Sequence, residues 1–384
     1  MIVTFYSYKG GVGRTQLVAN LAAFLCYRKG KKILLIDWDL EAPGLHFYFG
    51  RPDLKSLGLI DLLNEYCEIS MKMNSDVPIK DLPVFSKEKY CTNLCKSVNN
   101  NGVIDLIPAG VYDKLFNSRI NAFDWSTFYN QLKGFDYIEF IKEKLNSFEY
   151  DYIFIDSRTG ITDYSGITNV QLPEVNIIIT IPNRQNFEGS LKIITGIENS
   201  PYIKRGNRKA IIFPILSKID SQLADKKSEW HNNFMNEFKN TFSGLKKMLG
   251  VEKIDLYEFT KDTLLQYTKD VSFEETILFT ETNIAQKDDL RDNYINIAEN
   301  LETIKSKMEK PNFIKEIIIE LLANKESATR NEIDEIVLSK LSDSRTEKQK
   351  KDQVKNQLQE LSKEGIIKNK SNSTKYSVWV LNKV

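Results

Sequence analysis

A short apolar run, Ile2 to Tyr6, passes through Gly10-Gly11-Val12-Gly13 into Thr15 to Lys29, and a second apolar run, Ile33 to Ile36, follows. No other stretch constrains the fold so tightly. Leu17, Leu21, Phe24 and Leu25 recur at helical spacing and stop at Gly30, a natural C-terminal cap. The unit is therefore strand, glycine loop, helix, strand. Four further continuous runs follow: Val103 to Ile107, Tyr152 to Ile155, Asn176 to Ile181 and Ala210 to Leu216. Strands that are apolar throughout, rather than alternating, are buried on both faces, which is the pattern of a parallel sheet covered by helices. The first 220 residues are thus expected to form an α/β, doubly wound, mostly parallel sheet.

The glycine loop also carries chemistry. With no side chains at Gly10, Gly11 and Gly13, the backbone can curl so that successive N–H groups face one phosphate, backed by the N-terminus of the helix. The Thr15 hydroxyl is then placed to ligate a nucleotide-borne magnesium ion. Against the common P-loop pattern, Tyr8 stands where the first glycine belongs and Arg14 where the lysine belongs. Acidic residues follow two of the strands, Asp37 and Asp39 after Ile33 to Ile36 and Asp156 after Tyr152 to Ile155. In open α/β sheets ligands lie beyond the carboxyl ends of the strands, where these carboxylates stand.

With Lys9 ahead of the paired glycines, the loop resembles the deviant P-loop of the ParA/MinD family of ATPases, in a branch that reads Lys-Gly-Gly-Val-Gly-Arg. The resemblance covers roughly residues 1 to 305 by motif order and implies a P-loop NTPase of the SIMIBI type. It implies ATP and Mg2+ as ligands, bound by Lys9, Gly10, Gly11, Val12, Gly13, Arg14, Thr15 and Gln16. It implies an ATP-dependent homodimer in which Lys9 reaches the partner's phosphates. By the same resemblance Asp156 orients magnesium, Asp39 positions the attacking water, and Asp37 supports the loop and metal shell. Lys9, Arg14 and Asp39 form the expected catalytic set, and Thr15, Asp37 and Asp156 the metal set. Arg14 keeps the positive charge but replaces a compact ammonium with a planar fork, so slow hydrolysis is expected. A nucleotide sensor with little turnover is the alternative.

Pro182 and Asn183 at one strand end, and Ser217, Lys218 and Asp220 at the next, resemble family segments that read adenine. Ser217-Lys218-Ile219-Asp220 also resembles the guanine-reading Asn-Lys-x-Asp of GTPases, with the asparagine absent. ATP is favoured and GTP stays open. The loop Ser157 to Gly160 is placed like a γ-phosphate switch, in which Arg158 either neutralises transition-state charge or pairs with a surface carboxylate.

Residues 51–101 lose periodicity and read as an insertion, a helix at Leu57 to Tyr66 and then loop. Ser221 to Gly250 and Lys287 to Lys310 read as further helices. Lys310-Pro311 marks a boundary, giving a first domain over 1–310 and a second over 311–384. The second contains three helical patterns, Phe313 to Ala323, Arg330 to Leu341 and Glu347 to Lys363. Two strands follow, Ile366 to Ile367 and Tyr376 to Leu381, around a turn at Lys370 to Thr374. That order resembles a small α+β winged-helix module. Its 14 Lys plus Arg against 11 Asp plus Glu, with Lys348, Lys350, Lys351 and Lys355 on one helix and Lys368, Lys370 and Lys375 on the wing, allow DNA or protein contact alike.

The whole chain of 384 residues has 53 Lys plus Arg against 52 Asp plus Glu, so no global charge draws it to nucleic acid or acidic lipid. Four irregularly spaced cysteines fit a reducing compartment, and with only His46 and His231 beside them a zinc set at Cys91 and Cys95 is not expected. No apolar run is long enough to span a bilayer, and the N-terminus lacks a signal-peptide pattern. A cytoplasmic protein without membrane contact is expected.

Overall fold

The computed structural model describes residues 1–51, 54–72, 85–160, 166–205, 210–220, 222–261, 263–268, 275–280, 289–309, 311–341, 346–371 and 377–382. It divides into two compact units. The first comprises Met1–Glu198 with Ala210–Glu299, the second Asn199–Lys209 with Asn300–Val384. The division falls at Asn300, within the helix Asp289–Glu309, rather than at residue 311.

Seven strands form the sheet of the first unit: β1 (Ile2–Ser7), β2 (Lys32–Trp38), β3 (Thr92–Lys96), β4 (Val103–Ile107), β5 (Tyr152–Ser157), β6 (Val175–Thr180) and β7 (Ile211–Leu216). Their spatial order is β3-β4-β2-β5-β1-β6-β7. All neighbours are parallel except β3, which runs antiparallel to β4. Every residue of β1, β5 and β6 is buried, as their unbroken apolar sequences require. The helix Arg14–Lys29 buries Leu17, Leu21 and Leu25 completely, each worth about 1.5–3 kcal/mol of transfer free energy. It ends where the Gly30 amide donates to the Cys26 carbonyl at 3.1 Å.

This order places the functional groups. Because β5 lies between β2 and β1, Asp37 and Asp156 occupy paired register positions on neighbouring strands. Phe5 of β1 pairs with Asp156 from the other side, so the glycine loop leaves β1 next to both carboxylates.

Residues 51–101 hold more structure than a helix and loop. The helix runs Leu59–Lys72, a single turn Lys87–Tyr90 is capped by Ser86, and β3 follows as the sheet edge. The strand β3 was not expected. Only Leu94 of its five residues is buried, and a register shift between Asn93 and Cys95 interrupts its alternation, so no periodic signal marks it. Residues 73–84 lie outside the described residues. The helices Phe116–Ala122, Trp125–Asn130 and Gly134–Ser147 complete this side, with Phe128, Tyr137 and Ile141 in the core. On the β7 side, Ala224–Glu237 and Lys239–Leu249 bury Phe234 and Phe242 despite their many charges, and Phe238 between them is buried as well.

Among the described residues the second unit holds a succession of three helices, Pro311–Lys325, Arg330–Leu338 and Glu347–Lys363, together with the short helix Pro201–Arg205 and the end of Asp289–Glu309. Its antiparallel sheet consists of β8 (Ala328–Thr329), β9 (Ile367–Asn369) and β10 (Val378–Leu381), in the order β8-β10-β9. Two of the strands are near those expected, and β8 is an addition. Thr329 with Glu332 and Thr346 with Gln349 form capping boxes that start the second and third helices. Ile318, Leu321, Ile333, Val354 and Leu358 fill the core. Lys348, Lys351, Lys355, Lys368 and Lys370 are exposed, whereas Lys350 is buried, and Lys375 lies outside the described residues.

Candidate nucleotide site

The glycine loop is built by backbone conformations that side chains resist. Gly11 and Gly13 adopt φ of 72° and 87°, left-handed values that cost a residue with a Cβ about 1–2 kcal/mol. Gly13 is also the N-cap of the helix Arg14–Lys29. Val12 is buried, and its carbonyl accepts the Ser217 hydroxyl at 2.8 Å, which ties the loop to the end of β7. Tyr8 lies against Gly189, where an added Cβ would come within 2.2 Å of the tyrosine ring. The departure from glycine at position 8 is thus accommodated by a glycine on the facing helix, Arg184–Asn199. Lys9 is exposed, with its ammonium 5.8 Å from the centre of the Tyr8 ring.

Arg14 begins the helix and turns back into the protein, where it is 6% exposed. Its Nε donates to Asp156 and its Nη2 to Asp39 Oδ2 at 2.8 Å. Burial works against the guanidinium charge, but Asp156 and Asp39 more than offset it and hold the Arg14 pKa above its ordinary value. Burial pushes Asp156 upward, opposed first by Arg14 and then by the neighbouring Thr15 hydroxyl. Asp37 is fully buried, and burial followed by the adjacent Asp156 raises its pKa well above the carboxylate range. Its Oδ2 accepts the amides of Gly44 and Leu45 at 3.1 and 3.2 Å, and its Oδ1 accepts the amide of Asp39 at 3.3 Å. Asp37 therefore shapes the loop that presents Asp39. Tyr48 stands close enough to feel Glu275 and Asp156, and burial, with these charges, pushes its hydroxyl up to about 12.

The donors around Thr15, Asp39 and Asp156 are all oxygen, the chemistry a hard divalent cation takes. Among the described residues no three acidic, histidine or cysteine side chains converge to hold a metal by themselves. Magnesium suits such a place, because it commonly takes one or two carboxylates together with the phosphates of its nucleotide. Arg158 forms an ion pair with Glu41, in the same loop as Asp39.

A shallow cleft, open to solvent, adjoins the loop. Gly13, Gln16, Ser217 and Lys218 line one part of it; Leu265 to Thr268, with Leu290 and Tyr294, line the rest. Lys218 takes a left-handed φ of 57° at the β7 end, and an isolated parallel bridge joins Ile219 to Gln266. Pro182, Asn183 and Asp220 are not in this lining. Asn183 Oδ1 instead accepts the amide of Asn186 at 2.9 Å at the start of the helix Arg184–Asn199, and Asp220 Oδ1 accepts that of Gln222 at 2.9 Å. The structure thus gathers Gly10 to Gln16 with Asp37, Asp39 and Asp156, and places Ser217 and Lys218 with the cleft. The segments 265–268 and 290–294 were missed. They carry no motif, and only the fold brings them to the loop.

This geometry agrees with what the chain is similar to. A family model described as the CobQ/CobB/MinD/ParA nucleotide binding domain matches residues 3–377. The septum site-determining protein MinD of Synechocystis sp. is 30% identical over 198 residues, which are 51% of this chain and 59% of that protein. A ParA family protein of Mycoplasma pneumoniae is 25% identical over 271 residues, 67% of this chain and 88% of the relative. The cell division ATPase MinD of Pyrococcus furiosus superposes with a TM-score of 0.48 at 17% identity, over 79% of this chain and 98% of that one. With the family model spanning nearly the whole length, the chain belongs to the CobQ/CobB/MinD/ParA family of nucleotide-binding domains.

Proposed function

We propose that this chain is a magnesium-dependent ATPase, slow in turnover, whose bound nucleotide controls pairing with a second copy of itself. One observation carries the reading. The left-handed glycine loop, the Thr15 hydroxyl and the carboxylates of Asp39 and Asp156 converge at the carboxyl ends of β1, β2 and β5. Amides of Gly10 to Thr15 bind the phosphates, and the cleft beside Ser217 and Lys218 takes the base. Thr15 and Asp156 would hold magnesium, which, when bound, neutralises charge developing on the transferred phosphoryl group. Asp39 orients the attacking water, while Asp37 keeps the Asp39 loop in place through its three amide contacts. Lys9, exposed at the tip of the loop, is free to meet the phosphates of a partner copy. Asp220 is turned to the Gln222 amide, which favours adenine over a guanine that needs that carboxylate.

Light scattering on the full chain with magnesium and a non-hydrolysable ATP analogue tests the pairing. Wild type is expected to run as a dimer and Lys9→Ala as a monomer. Equal sizes for the two would refute a cross-subunit lysine.

A second reading, a nucleotide sensor with little turnover, is favoured by the ion pairs of Arg14 to both Asp39 and Asp156, which engage the water-positioning carboxylate. A large gain in phosphate release for Arg14→Lys would support it. In the second unit, the three helices with a small antiparallel sheet act as a winged helix that engages DNA or a partner protein through exposed Lys348, Lys355, Lys368 and Lys370. A gel-shift series across salt concentrations separates these partners, since DNA affinity falls steeply with salt.

A further inference from the structure

Arg14 makes contacts that a lysine at its position could not. Its planar fork splits across two carboxylates, Nε to Asp156 and Nη2 to Asp39, in a place only 6% exposed. Asp37, fully buried and next to Asp156 in register, adds a third acidic group to the same pocket. The carboxylates of Asp39 and Asp156, with so little solvent around them, require a compensating cation, and Arg14 is placed as that cation. Its Nη1 is buried and, among the described residues, has no acceptor. A buried donor left without a partner points to an acceptor that arrives from outside, and the adjoining loop of free amides selects phosphate oxygen.

We propose that Arg14 is a resident cation. In the nucleotide-free chain it stands in for the divalent ion between Asp39 and Asp156, and it leaves them for the phosphates only when magnesium and nucleotide bind together. The inference rests on the nucleotide reading and assigns its regulation. Free divalent cations are then rejected by the empty site, because they would have to displace the guanidinium with nothing to receive it. The magnesium complex of a triphosphate supplies both the acceptor for Nη1 and the ion that replaces the Arg14 charge at the carboxylates. The exchange frees Asp39 for water, whereas the loop around it stays in place, because the contacts of Asp37 to the amides of Asp39, Gly44 and Leu45 do not involve Arg14.

The test is a Mn2+ titration of the full chain without nucleotide, with free Mn2+ read by electron paramagnetic resonance. Wild type is expected to show no saturable binding below the millimolar range. Arg14→Gln, which removes the charge, is expected to bind at least about tenfold more tightly, and Arg14→Lys to fall between them. Thermal unfolding supplies a second readout should Arg14→Gln fold poorly, with Mn2+ raising the midpoint of Arg14→Lys and not that of wild type. Equal Mn2+ curves and equal midpoint shifts in all three chains overturn the proposal. They would leave nucleotide binding intact, because no nucleotide is present, whereas silence in a nucleotide titration alone would sink the underlying reading and not the cation.

Discussion

The two ends of the candidate site are built differently. At the phosphate end the ionic groups are already engaged: Arg14 bridges Asp156 and Asp39, and Asp37 is enclosed by three amides. At the base end an open cleft is lined by Leu265 to Thr268 and Tyr294, and the Ser217 hydroxyl reaches across to the Val12 carbonyl of the loop. The contrast separates two tasks. On the proposed reading, discrimination between free and loaded states comes from the end whose ion pairs are exchanged rather than from the open cleft.

Four experiments would break or sharpen that division. Removing the buried cation by Arg14→Ala should cost most, about 3–5 kcal/mol of unfolding free energy in a urea titration at pH 7, because it leaves buried carboxylates unpaired. That penalty should shrink as pH falls. Without Arg14 the folded-state pKa of Asp156, already raised by burial, rises further above its unfolded value, beside Asp37, whose own is raised by burial and by Asp156. Protonation then favours the folded chain below those folded-state values, and the gain is lost as pH rises through them. A penalty equal at pH 7 and pH 5 would mean that the carboxylates carry no buried charge.

Gly189→Ala comes next. Its Cβ would displace the Tyr8 ring from the phosphate loop, costing about 1–3 kcal/mol and weakening triphosphate binding more than it weakens binding of the bare nucleoside. Tyr267→Ala should do the converse. It is expected to weaken nucleoside and triphosphate alike, by up to about tenfold, and to leave the midpoint of unfolding unchanged, since the side chain is 39% exposed. If Tyr267→Ala instead altered the magnesium dependence, the two ends would not be separable. Smallest is Ser217→Ala, which removes the hydrogen bond to Val12 and should cost about 1 kcal/mol.

Much of the phosphate end was legible in the sequence because its parts are local. The glycines, Arg14 and Thr15 lie in one run, and the aspartates follow unbroken apolar strands whose ends must share an edge of the sheet. The role of Arg14 was not legible. Its charge is visible at position 14, but its two partners are set by the order β2-β5-β1. The base end was readable only where a strand ends, at Ser217 and Lys218. Leu265 to Thr268 and Tyr294 reach it through the bridge from Ile219 to Gln266 and a later helix, contacts that leave no periodic trace. Asn183 and Asp220 show a second use of strand-end positions. Strand-end position drew them toward the base, yet short polar side chains at such places also serve the next backbone amides, as both do here. The edge strand β3 escaped because five residues with one buried side chain carry no alternation to detect.

Calorimetric titration of magnesium and ATP into the full chain addresses nucleotide binding most directly. We expect saturable heat at one nucleotide per chain, with affinity that falls when magnesium is removed. No heat with magnesium and either purine triphosphate would contradict the assignment of the loop after β1 as a phosphate site.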